Sequence, residues 1–235
     1  MIRGKRVGVV IPAAGKGSRM RGEAHKQLLH LAGTPIALHT LRRFEQSKIV
    51  DTIVVAAGSD ILNTINDLVR NDHLSKVARV VVGGAERQDS VWNGLQELRS
   101  HHIDLVIVHD VVRPFIAEEM LNRVVEAALA GGSAILAVRP KETVKMNMED
   151  GTALSTLPRE KLWLAQTPQV FEFDLLFKAF QKAISDNFYG TDDASLVERS
   201  GGCVRIMEGN YDNIKITTPE DLELAHLIAK RWNIA

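Results

Sequence analysis

Residues 7–27, VGVVIPAAGKGSRMRGEAHKQ, combine an apolar run with a turn of small residues and two flanking cations. The run at 7–11 is short enough to be a strand that is buried on both faces of a parallel sheet. In Pro12–Ser18, small residues let backbone N–H groups approach a ligand closely, and such groups in a tight turn form an anion-binding concavity. Arg19 and Lys26 beside this turn suit a polyphosphate. The stretch therefore predicts a strand followed by a loop that holds a nucleoside triphosphate.

Two well-known phosphate-binding loops do not match this turn. A Walker A loop reads GxxxxGK[ST], whereas Lys16 here precedes the second glycine. A dinucleotide-binding loop reads GxGxxG, whereas the sixth position of the run that starts at Gly15 is Met20, which is too bulky for close packing of a helix. From this stretch alone, an ordinary glycine-rich connection between a strand and a helix remains the alternative.

Composition excludes several classes of protein. The chain has 235 residues, and its 29 Lys and Arg balance its 29 Asp and Glu, so no overall charge attracts nucleic acid or an anionic membrane. No apolar run approaches the ~18 residues that a membrane span needs, and the run before Pro12 is too short for a signal peptide. One cysteine, Cys203, excludes an internal disulfide and fits a reducing compartment. We therefore expect a cytoplasmic protein.

Strand and helix patterns alternate along most of the chain, which is typical of βαβ units and a mainly parallel sheet in an α/β fold. Each helix pattern has apolar residues at helical spacing, and the last one opens with a capping threonine and a proline. The predicted strands are 7–11, 52–57, 77–82, 104–108, 133–138, 203–207 and 213–217. The predicted helices are 35–46, the segment after a Ser59 cap to 69, 86–98, 120–129, 173–184, 191–198 and a final one from Pro219.

Residues 139–161 interrupt this alternation. Thr143–Met148 alternates loosely, Glu149–Gly151 is a turn, and Ala153–Leu157 can return as a second strand, which predicts a hairpin. The segment has too few large apolar side chains for a core. A mobile surface loop is one interpretation, and an arm that packs on a second subunit is the other.

Two further stretches follow predicted strands, at the edge where ligands bind in open α/β sheets. Gly83–Ser90 is a glycine turn whose backbone can bind a nucleotide base, with Ser90 in reach; a plain helix entry is the alternative. Asp110 ends a buried strand and can hold Mg²⁺, while Arg113 can bind a phosphate; an internal ion pair between the two is the alternative. His109 is interpreted as structural, because a phosphate monoester is already largely dianionic near neutral pH and needs no histidine base as a nucleophile.

Three other stretches are ambiguous when each is taken by itself. Lys215 lies at 213–217 on the face opposite its apolar neighbours, where a lysine is usually just solvated. Residues 162–169 and 190–195 are each compatible with a turn or a helix cap.

Taken together and in order, seven stretches closely resemble the 2-C-methyl-D-erythritol 4-phosphate cytidylyltransferase family, part of the sugar-phosphate nucleotidyltransferases. They are PAAGKGSRM (12–20), HKQ (25–27), GGAERQDSV (83–91), HDVVRPF (109–115), LWLAQTPQ (162–169), GTDDASLVE (190–198) and NIKITTPEDL (213–222). The resemblance implies a Rossmann-like sheet with helices on both faces, one domain over 1–235, and a homodimer formed through a β-arm at about 139–161. It also implies a Mg²⁺-dependent reaction of CTP with methylerythritol phosphate in the non-mevalonate isoprenoid pathway.

The resemblance also assigns roles to individual residues. For the nucleotide it implies Ala13, Ala14, Gly15, Gly17, Gly84, Ser90 and Asp110. For catalysis it implies Arg19, Lys26, Arg159 and Lys215. For methylerythritol phosphate it implies Asp110, Arg113, Arg159, Thr167 and Thr191, with Asp110 also near a metal that the CTP phosphates mostly hold. Phosphoryl-type transfer depends mainly on positioning and charge stabilisation, which agrees with such a set.

Two departures from the family pattern affect the predicted pocket. Val111-Val112 replaces the usual Gly or Ala followed by Ala, which predicts a tighter pocket on the ribose side. His25 replaces the usual Pro or Asn before Lys26 and can shift that loop. Ribitol 5-phosphate cytidylyltransferase is the alternative enzyme, although the GTDDAS and LWLAQTPQ stretches favour methylerythritol. A catalytically inactive nucleotide-binding subunit is the alternative from another class, and retention of the charged residues argues against it.

Overall fold

The predicted alternation of strands and helices is present in a computed structural model, which describes residues 1–15 and 25–234. The strands are β1 (Val7–Ala13), β2 (His30–Leu31), β3 (Thr34–Pro35), β4 (Thr52–Ala57), β5 (Val77–Val82), β6 (Leu105–Val108), β7 (Ser133–Val138), β8 (Lys145–Asn147), β9 (Ala153–Thr156), β10 (Leu164–Glu172) and β11 (Arg205–Glu208). The helices are α1 (Ile36–Gln46), α2 (Leu62–Asn71), α3 (Arg87–Leu98), α4 (Glu118–Gly131), α5 (Phe173–Ser185), α6 (Asp193–Arg199) and α7 (Pro219–Arg231).

Within the described residues, seven strands form one sheet in the order β11-β7-β10-β6-β1-β4-β5. The β1–β4, β1–β6, β4–β5 and β7–β11 pairs are parallel. Strand β10 is antiparallel to both of its neighbours, β6 and β7. The predicted mainly parallel α/β fold is therefore confirmed, with one antiparallel strand inserted between parallel ones.

Helices cover both faces of this sheet because successive strand residues point to opposite sides. In β1, Val9 and Ile11 belong to the core under α1, α4 and α7, whereas Val10 belongs to the core under α3, α5 and α6. Helix α3 lies very close to β1, since a Cβ at Gly94 would come within 2.5 Å of Val10 Cγ1. This packing fixes the first turn of α3 beside the end of β1.

Two strand assignments made from the sequence differ from the structure. Strand β10 was not predicted, and residues 213–217 are not a strand. In the latter segment, Ile216 N–H donates to Val112 O, while Thr217 N–H donates to the Asp221 carboxylate. The alternating pattern there therefore does not build a strand ladder.

Several helix starts also differ from those predicted, and α4 begins at Glu118, two residues before the predicted start. Helix α1 begins at Ile36, because Thr34–Pro35 pairs with β2 instead of starting the helix. Helix α2 begins at Leu62 rather than after a Ser59 cap, and α6 follows Asp192, whose carboxylate accepts Ser195 N–H, rather than Thr191. The predicted start of α7, with its capping threonine and proline, is confirmed.

The hairpin predicted within 139–161 is present as the antiparallel pair β8 and β9. Every residue of the two strands is exposed. Its apolar side chains Met146, Met148 and Leu154 are 45%, 45% and 56% exposed. The hairpin therefore projects from the body without a core of its own. No helix in 1–15 or 25–234 has the length and hydrophobicity required to span a bilayer.

Candidate active site

A cleft opens where β1, β5 and β6 end. These parallel strands run in one direction, so their carboxyl ends meet at one edge of the sheet, where ligands bind in such folds. The cleft is lined by Pro12, Ala13, Ala14, Gly15, Lys26, Gln27, Gly84, Ala85, Glu86, Arg87, Ser90, Asp110, Val111, Val112 and Lys215. Most of the residues predicted to bind the nucleotide thus lie together.

The first wall follows β1. Residues 13–15 line the cleft with small side chains, and a Cβ at Gly15 would meet no described atom within 4 Å. Buried Gln27 holds this wall, since its Nε2 donates to Ala13 O at 2.7 Å. Lys26, next to Gln27, lines the same cleft. The predicted residues Gly17 and Arg19 lie outside the described residues.

The second wall is the turn between β5 and α3. Ser90 is buried; its hydroxyl accepts Gly84 N–H at 3.1 Å and donates to Glu86 O at 3.2 Å. Glu86 and Asp89 form a reciprocal capping box at the start of α3. Since a Cβ at Gly84 would lie 2.1 Å from Asp89 Cβ, the turn requires glycine there. Ser90 therefore organises the turn as well as lining the cleft.

An ionic network of two buried carboxylates and three cations, two of them partly exposed, lies at the floor of the cleft. Asp110 Oδ1 accepts Arg87 Nε at 2.9 Å, and Asp110 Oδ2 lies 2.8 Å from Lys215 Nζ. Arg87 Nη2 reaches Asp193 Oδ2 at 2.8 Å, and Arg113 Nε lies 3.7 Å from Asp110 Oδ2. Three cations thus share two carboxylates, which leaves this group of five with one net positive charge.

Both carboxylates have shifted pKa values. Burial alone would raise the pKa of Asp110, but the charges of Arg87, Lys215 and Arg113 outweigh burial and hold this pKa well below its usual range. Burial raises the pKa of Asp193, and the Arg87 guanidinium only partly opposes that rise. Asp110 is therefore a carboxylate at any working pH, and it is the acid that pairs with Lys215.

Asp110 was predicted to lie near a Mg²⁺ ion, and its surroundings show how many protein ligands such an ion would have. Among the described residues, no group of three or more His, Cys, Asp or Glu is arranged to hold a metal ion. Asp110 lines the cleft with one carboxylate, both of whose oxygens already face cations. A single carboxylate fits Mg²⁺ bound mainly by triphosphate oxygens and water, which is the usual arrangement for this ion.

His109 is completely buried and connects β6 to β10. Its Nε2 donates to Arg113 O at 2.9 Å, so Nδ1 is the acceptor for the Thr167 hydroxyl at 3.2 Å. Thr167 Oγ1 in turn accepts Asp110 N–H at 3.1 Å. Burial lowers the pKa of His109 to about 4, so the ring is neutral near pH 7. These contacts are those of a structural histidine, as interpreted from the sequence.

The loop that carries Lys215 is tied to the same strand. Asn213 is buried, and its Nδ2 donates to Thr167 O at 2.8 Å and to Gln166 Oε1 at 3.2 Å. Arg113 Nη1 donates to Asn213 O at 2.7 Å. Among the described residues, the buried Arg113 Nε has no hydrogen-bond partner. Lys215 thus reaches Asp110 from an anchored loop and not from a strand.

Four predicted residues among those described are not part of the cleft lining. Arg113 and Thr167 each contact Asp110, which does line it. Thr191 is exposed and precedes the cap of α6. Arg159 is exposed at the base of the hairpin, where its Nη1 donates to Lys141 O at 2.6 Å. Within this chain, Arg159 does not line the described cleft.

Arg87 and Asp193 were not identified as site residues from the sequence. Arg87 lies in the first turn of α3, and Asp193 in the first turn of α6, where an acid is ordinary. Their contact joins residues 106 positions apart. No local signal distinguishes such a pair from surface charges.

The chain is similar to proteins of one family over almost its whole length. The sequence model of the family described as 2-C-methyl-D-erythritol 4-phosphate cytidylyltransferase matches residues 7–231. Proteins of that name from Symbiobacterium thermophilum and Pelotomaculum thermopropionicum are 47% identical over 222 residues and 48% identical over 227 residues. These alignments cover 94% and 96% of this chain, and 92% and 94% of the relatives. The crystal structure of the 4-diphosphocytidyl-2C-methyl-D-erythritol synthase from Anaerococcus prevotii matches with a TM-score of 0.85 at 30% identity, covering 97% of each chain.

Proposed function

Because this chain belongs to the 2-C-methyl-D-erythritol 4-phosphate cytidylyltransferase family, we propose that it converts CTP and 2-C-methyl-D-erythritol 4-phosphate to 4-diphosphocytidyl-2-C-methyl-D-erythritol and pyrophosphate. This reaction belongs to the non-mevalonate isoprenoid pathway. The observation that carries the proposal is the cleft itself, in which Lys26 and Lys215 face the small-residue walls after β1 and β5. Such a cleft suits a nucleoside triphosphate.

The chemistry requires little covalent work from the protein. An oxygen of the methylerythritol phosphate attacks the α-phosphorus of CTP, a new P–O bond forms, and the bond to the bridging oxygen breaks as pyrophosphate leaves. The attacking phosphate is largely dianionic near neutral pH, so no base has to remove a proton. Catalysis then rests on alignment and on cations that stabilise the charge of the transition state.

The nucleotide is proposed to occupy the two small-residue walls. Backbone groups at residues 13–15 and at Gly84 would contact the triphosphate and the base, with Ser90 keeping the second wall in shape. Lys26, with Arg19 from outside the described residues, would face the phosphates. Val111 and Val112 line the cleft, which supports the expectation of a tight pocket on the ribose side.

The acceptor is proposed to bind on the side of Asp110. There the Asp110 carboxylate would accept hydrogen bonds from the sugar alcohol, and Lys215 would turn towards the α-phosphate. Arg113, Thr167 and Thr191 are proposed to contact the acceptor. Arg113 Nε supports this assignment: it lies 3.7 Å from Asp110 Oδ2 but donates no hydrogen bond among the described residues, and a buried guanidinium N–H in that state favours binding of a phosphate or hydroxyl oxygen.

Mg²⁺ is proposed as the divalent cofactor. It would be held mainly by the CTP phosphates, with Asp110 as the nearby carboxylate, and would neutralise charge on the triphosphate. Among the described residues, Asp110 and Glu86 are the acids in the cleft lining and they form no metal-binding group of three, which supports a metal that arrives with the nucleotide.

A homodimer formed through the hairpin is also proposed. The exposed apolar residues Met146, Met148 and Leu154 support a partner that covers them. The position of Arg159 away from the cleft lining of its own chain supports a role in the partner's site. We further propose a cytoplasmic location, which the free thiol of Cys203 supports.

The proposed function is tested by pyrophosphate release. CTP with methylerythritol phosphate should exceed every other pair when ribitol 5-phosphate replaces the acceptor, or when UTP, ATP or GTP replaces CTP. Equal or faster turnover with ribitol 5-phosphate would support the alternative enzyme. Absence of pyrophosphate release with every pair, in a folded protein that still binds CTP, would identify a non-catalytic nucleotide-binding subunit.

A further inference from the structure

Arg87 is the residue through which the cleft floor contacts α6. Its Nε donates to Asp110 Oδ1 at 2.9 Å, and its Nη2 donates to Asp193 Oδ2 at 2.8 Å. The Asp193 side chain is 1% exposed and is not part of the cleft lining. One guanidinium therefore bridges a carboxylate in the cleft and a buried carboxylate beneath Thr191.

The neighbouring residue strengthens the same connection. Gln88 Oε1 accepts Gly190 N–H at 2.9 Å, and Gln88 Nε2 donates to Phe188 O at 3.0 Å. The first turn of α3 thus holds segment 188–193 on one side and Asp110 on the other. With Asp110 Oδ1 engaged by Arg87, Asp110 Oδ2 is left to face Lys215.

We propose that Arg87 is a positioning residue for the transfer: it orients Asp110 towards Lys215 and joins that pair to the segment that carries Thr191. This inference rests on the proposed function, in which Lys215 and Asp110 serve opposite substrates. Asp193 holds the other end of Arg87, and a guanidinium bound by two carboxylates has a fixed plane. The role requires a planar group that donates hydrogen bonds to two carboxylates at once, which the ammonium group of a lysine at position 87 does not supply.

Two variants separate positioning from stability. Arg87→Gln leaves Asp193 buried without its cation, which is costly to the fold. The double variant Arg87→Gln/Asp193→Asn removes both charges, so it keeps the net charge of the cluster and leaves no unpaired buried acid. We expect the double variant to recover most of the melting temperature lost in Arg87→Gln. Its kcat with methylerythritol phosphate should still be about 100-fold below that of the wild type, as misplacement of a catalytic group predicts.

Binding measurements complete the kinetic test. The Kd for CTP alone should change less than about threefold in the double variant and in Arg87→Lys, while the KM for the acceptor rises in both. The matched control is Arg42→Gln/Asp72→Asn, which removes another Arg–Asp pair, between α1 and the end of α2. This control should leave kcat, KM and CTP affinity unchanged.

Crystal structures of the wild type and the double variant test the inference without any turnover. The Asp110–Lys215 contact, 2.8 Å here, should lengthen beyond hydrogen-bond distance in the double variant. An unchanged contact overturns the inference, even if the wild type proves to use a different acceptor. Recovery of kcat together with the melting temperature would make Arg87 merely structural. Loss of CTP affinity in Arg87→Lys would instead make it a direct ligand of the nucleotide.

Discussion

Lys215 is held by Asp110 in the structure and is proposed to act on the α-phosphate. Because a cation lost from such a transition state costs on the order of 3 kcal/mol, Lys215→Ala and Lys26→Ala should each lower kcat/KM by about 10²–10³. Steady-state pyrophosphate release measures this loss, and circular dichroism verifies the fold. Lys178→Ala, on an exposed position of α5, is the matched control. A folded Lys215→Ala enzyme with near wild-type kcat/KM would remove Lys215 from the mechanism.

His109 gives the free energy of unfolding a specific pH dependence. Its pKa is lowered by burial to about 4 from an ordinary 6.5, so between these values the unfolded chain binds a proton that the folded chain does not. Above pH 6.5 the ring is neutral in both states, so it does not change the free energy of unfolding. As the pH falls from 6.5 towards 4, proton uptake by the unfolded chain lowers that free energy. Between pH 7.5 and pH 4.5 the wild type should lose about 2–3 kcal/mol more than His109→Gln, whose amide can still donate to Arg113 O.

Urea unfolding of both proteins at the two pH values measures this difference. All other titrating groups are shared by the two proteins, so the difference isolates the histidine. Equal losses in the two proteins would mean that His109 is not kept neutral by burial. If both proteins lose activity equally at low pH, that loss says nothing about the burial of His109, because its ring is assigned no step in the transfer.

For individual residues, the resemblance to a family predicted a set of residues whose positions can be read from the structure. Lys26, Gly84, Ser90, Asp110 and Lys215 were predicted to lie together, and all five line one cleft. The Arg87–Asp193 pair was missed because Asp193 fits an ordinary helix start, and nothing local to Arg87 indicates a partner 106 positions away. Only the folded chain brings the first turns of α3 and α6 together.

Two glycines of the cleft are predicted to be needed for different reasons. Gly84 lies in the turn between β5 and α3, and Gly15 lies in the loop after β1. A Cβ at Gly84 would lie 2.1 Å from Asp89 Cβ, so Gly84→Ala should displace the turn, with a cost of about 1–3 kcal/mol in stability and a weaker affinity for CTP. A Cβ at Gly15 meets no described atom within 4 Å. Gly15→Ala should therefore keep the melting temperature but raise the Kd for CTP at least about tenfold, because a methyl group blocks close backbone approach.

Differential scanning fluorimetry and calorimetric titration with CTP distinguish these two effects. Gly201→Ala is unsuitable as a control because φ is +88° there, so a substitution strains the backbone for another reason. Unchanged CTP affinity in Gly15→Ala would place the triphosphate away from this loop. An unchanged melting temperature in Gly84→Ala would show that the turn can relax around the added methyl.

Elements were predicted well where one pattern dominated and poorly where polar residues interrupted it. The strands that became β1, β4, β6 and β7 are buried apolar runs, and each was predicted. β5 was predicted too, because it is rich in valine, although it is a partly exposed edge strand. Strand β10 contains Gln166, Thr167, Pro168 and Gln169, and a proline argues against an interior strand. In the structure these polar residues make hydrogen bonds to other segments: Thr167 Oγ1 accepts Asp110 N–H, and Gln169 Oε1 accepts Ala194 N–H. Such long-range contacts interrupt the apolar pattern that identifies a strand.

On the scale of the whole molecule, equal numbers of acids and bases conceal a local excess of positive charge. The five charged groups at the cleft floor carry one net positive charge. Among the other described lining residues, Lys26 adds one positive charge and Glu86 one negative charge, so the local excess stays at one. An anionic substrate is thus attracted by a small region and not by the total charge of the protein. Added salt should therefore weaken the affinity for CTP. The net charge of the whole chain, which is zero, would predict no effect of salt on that affinity.

The β8–β9 hairpin, proposed as a dimer arm, makes a prediction about the assembled protein. If each arm crosses a two-fold axis, the Arg159 of one chain serves the cleft of the other, and two individually inactive variants can complement each other. Arg159→Ala protein lacks Arg159 at both sites, and Lys215→Ala protein lacks Lys215 at both sites. A mixed dimer has one site that lacks both residues and one site that is intact. After complete exchange of an equal mixture, about half of the dimers are mixed, so pyrophosphate release should reach about a quarter of the wild-type rate.

Exchange has to be demonstrated independently, for example by native mass spectrometry of differently tagged chains. The matched control mixes Arg159→Ala with an Arg159→Ala/Lys215→Ala double variant, because no combination of those chains contains an intact site. Activity in the first mixture and none in the control would support an arm that reaches the partner, with a guanidinium to bind the acceptor phosphate in a bidentate fork. If mixed dimers form and stay inactive, Arg159 acts within its own chain or has no part in the site. In that case the exposed apolar side chains of the hairpin would need another explanation.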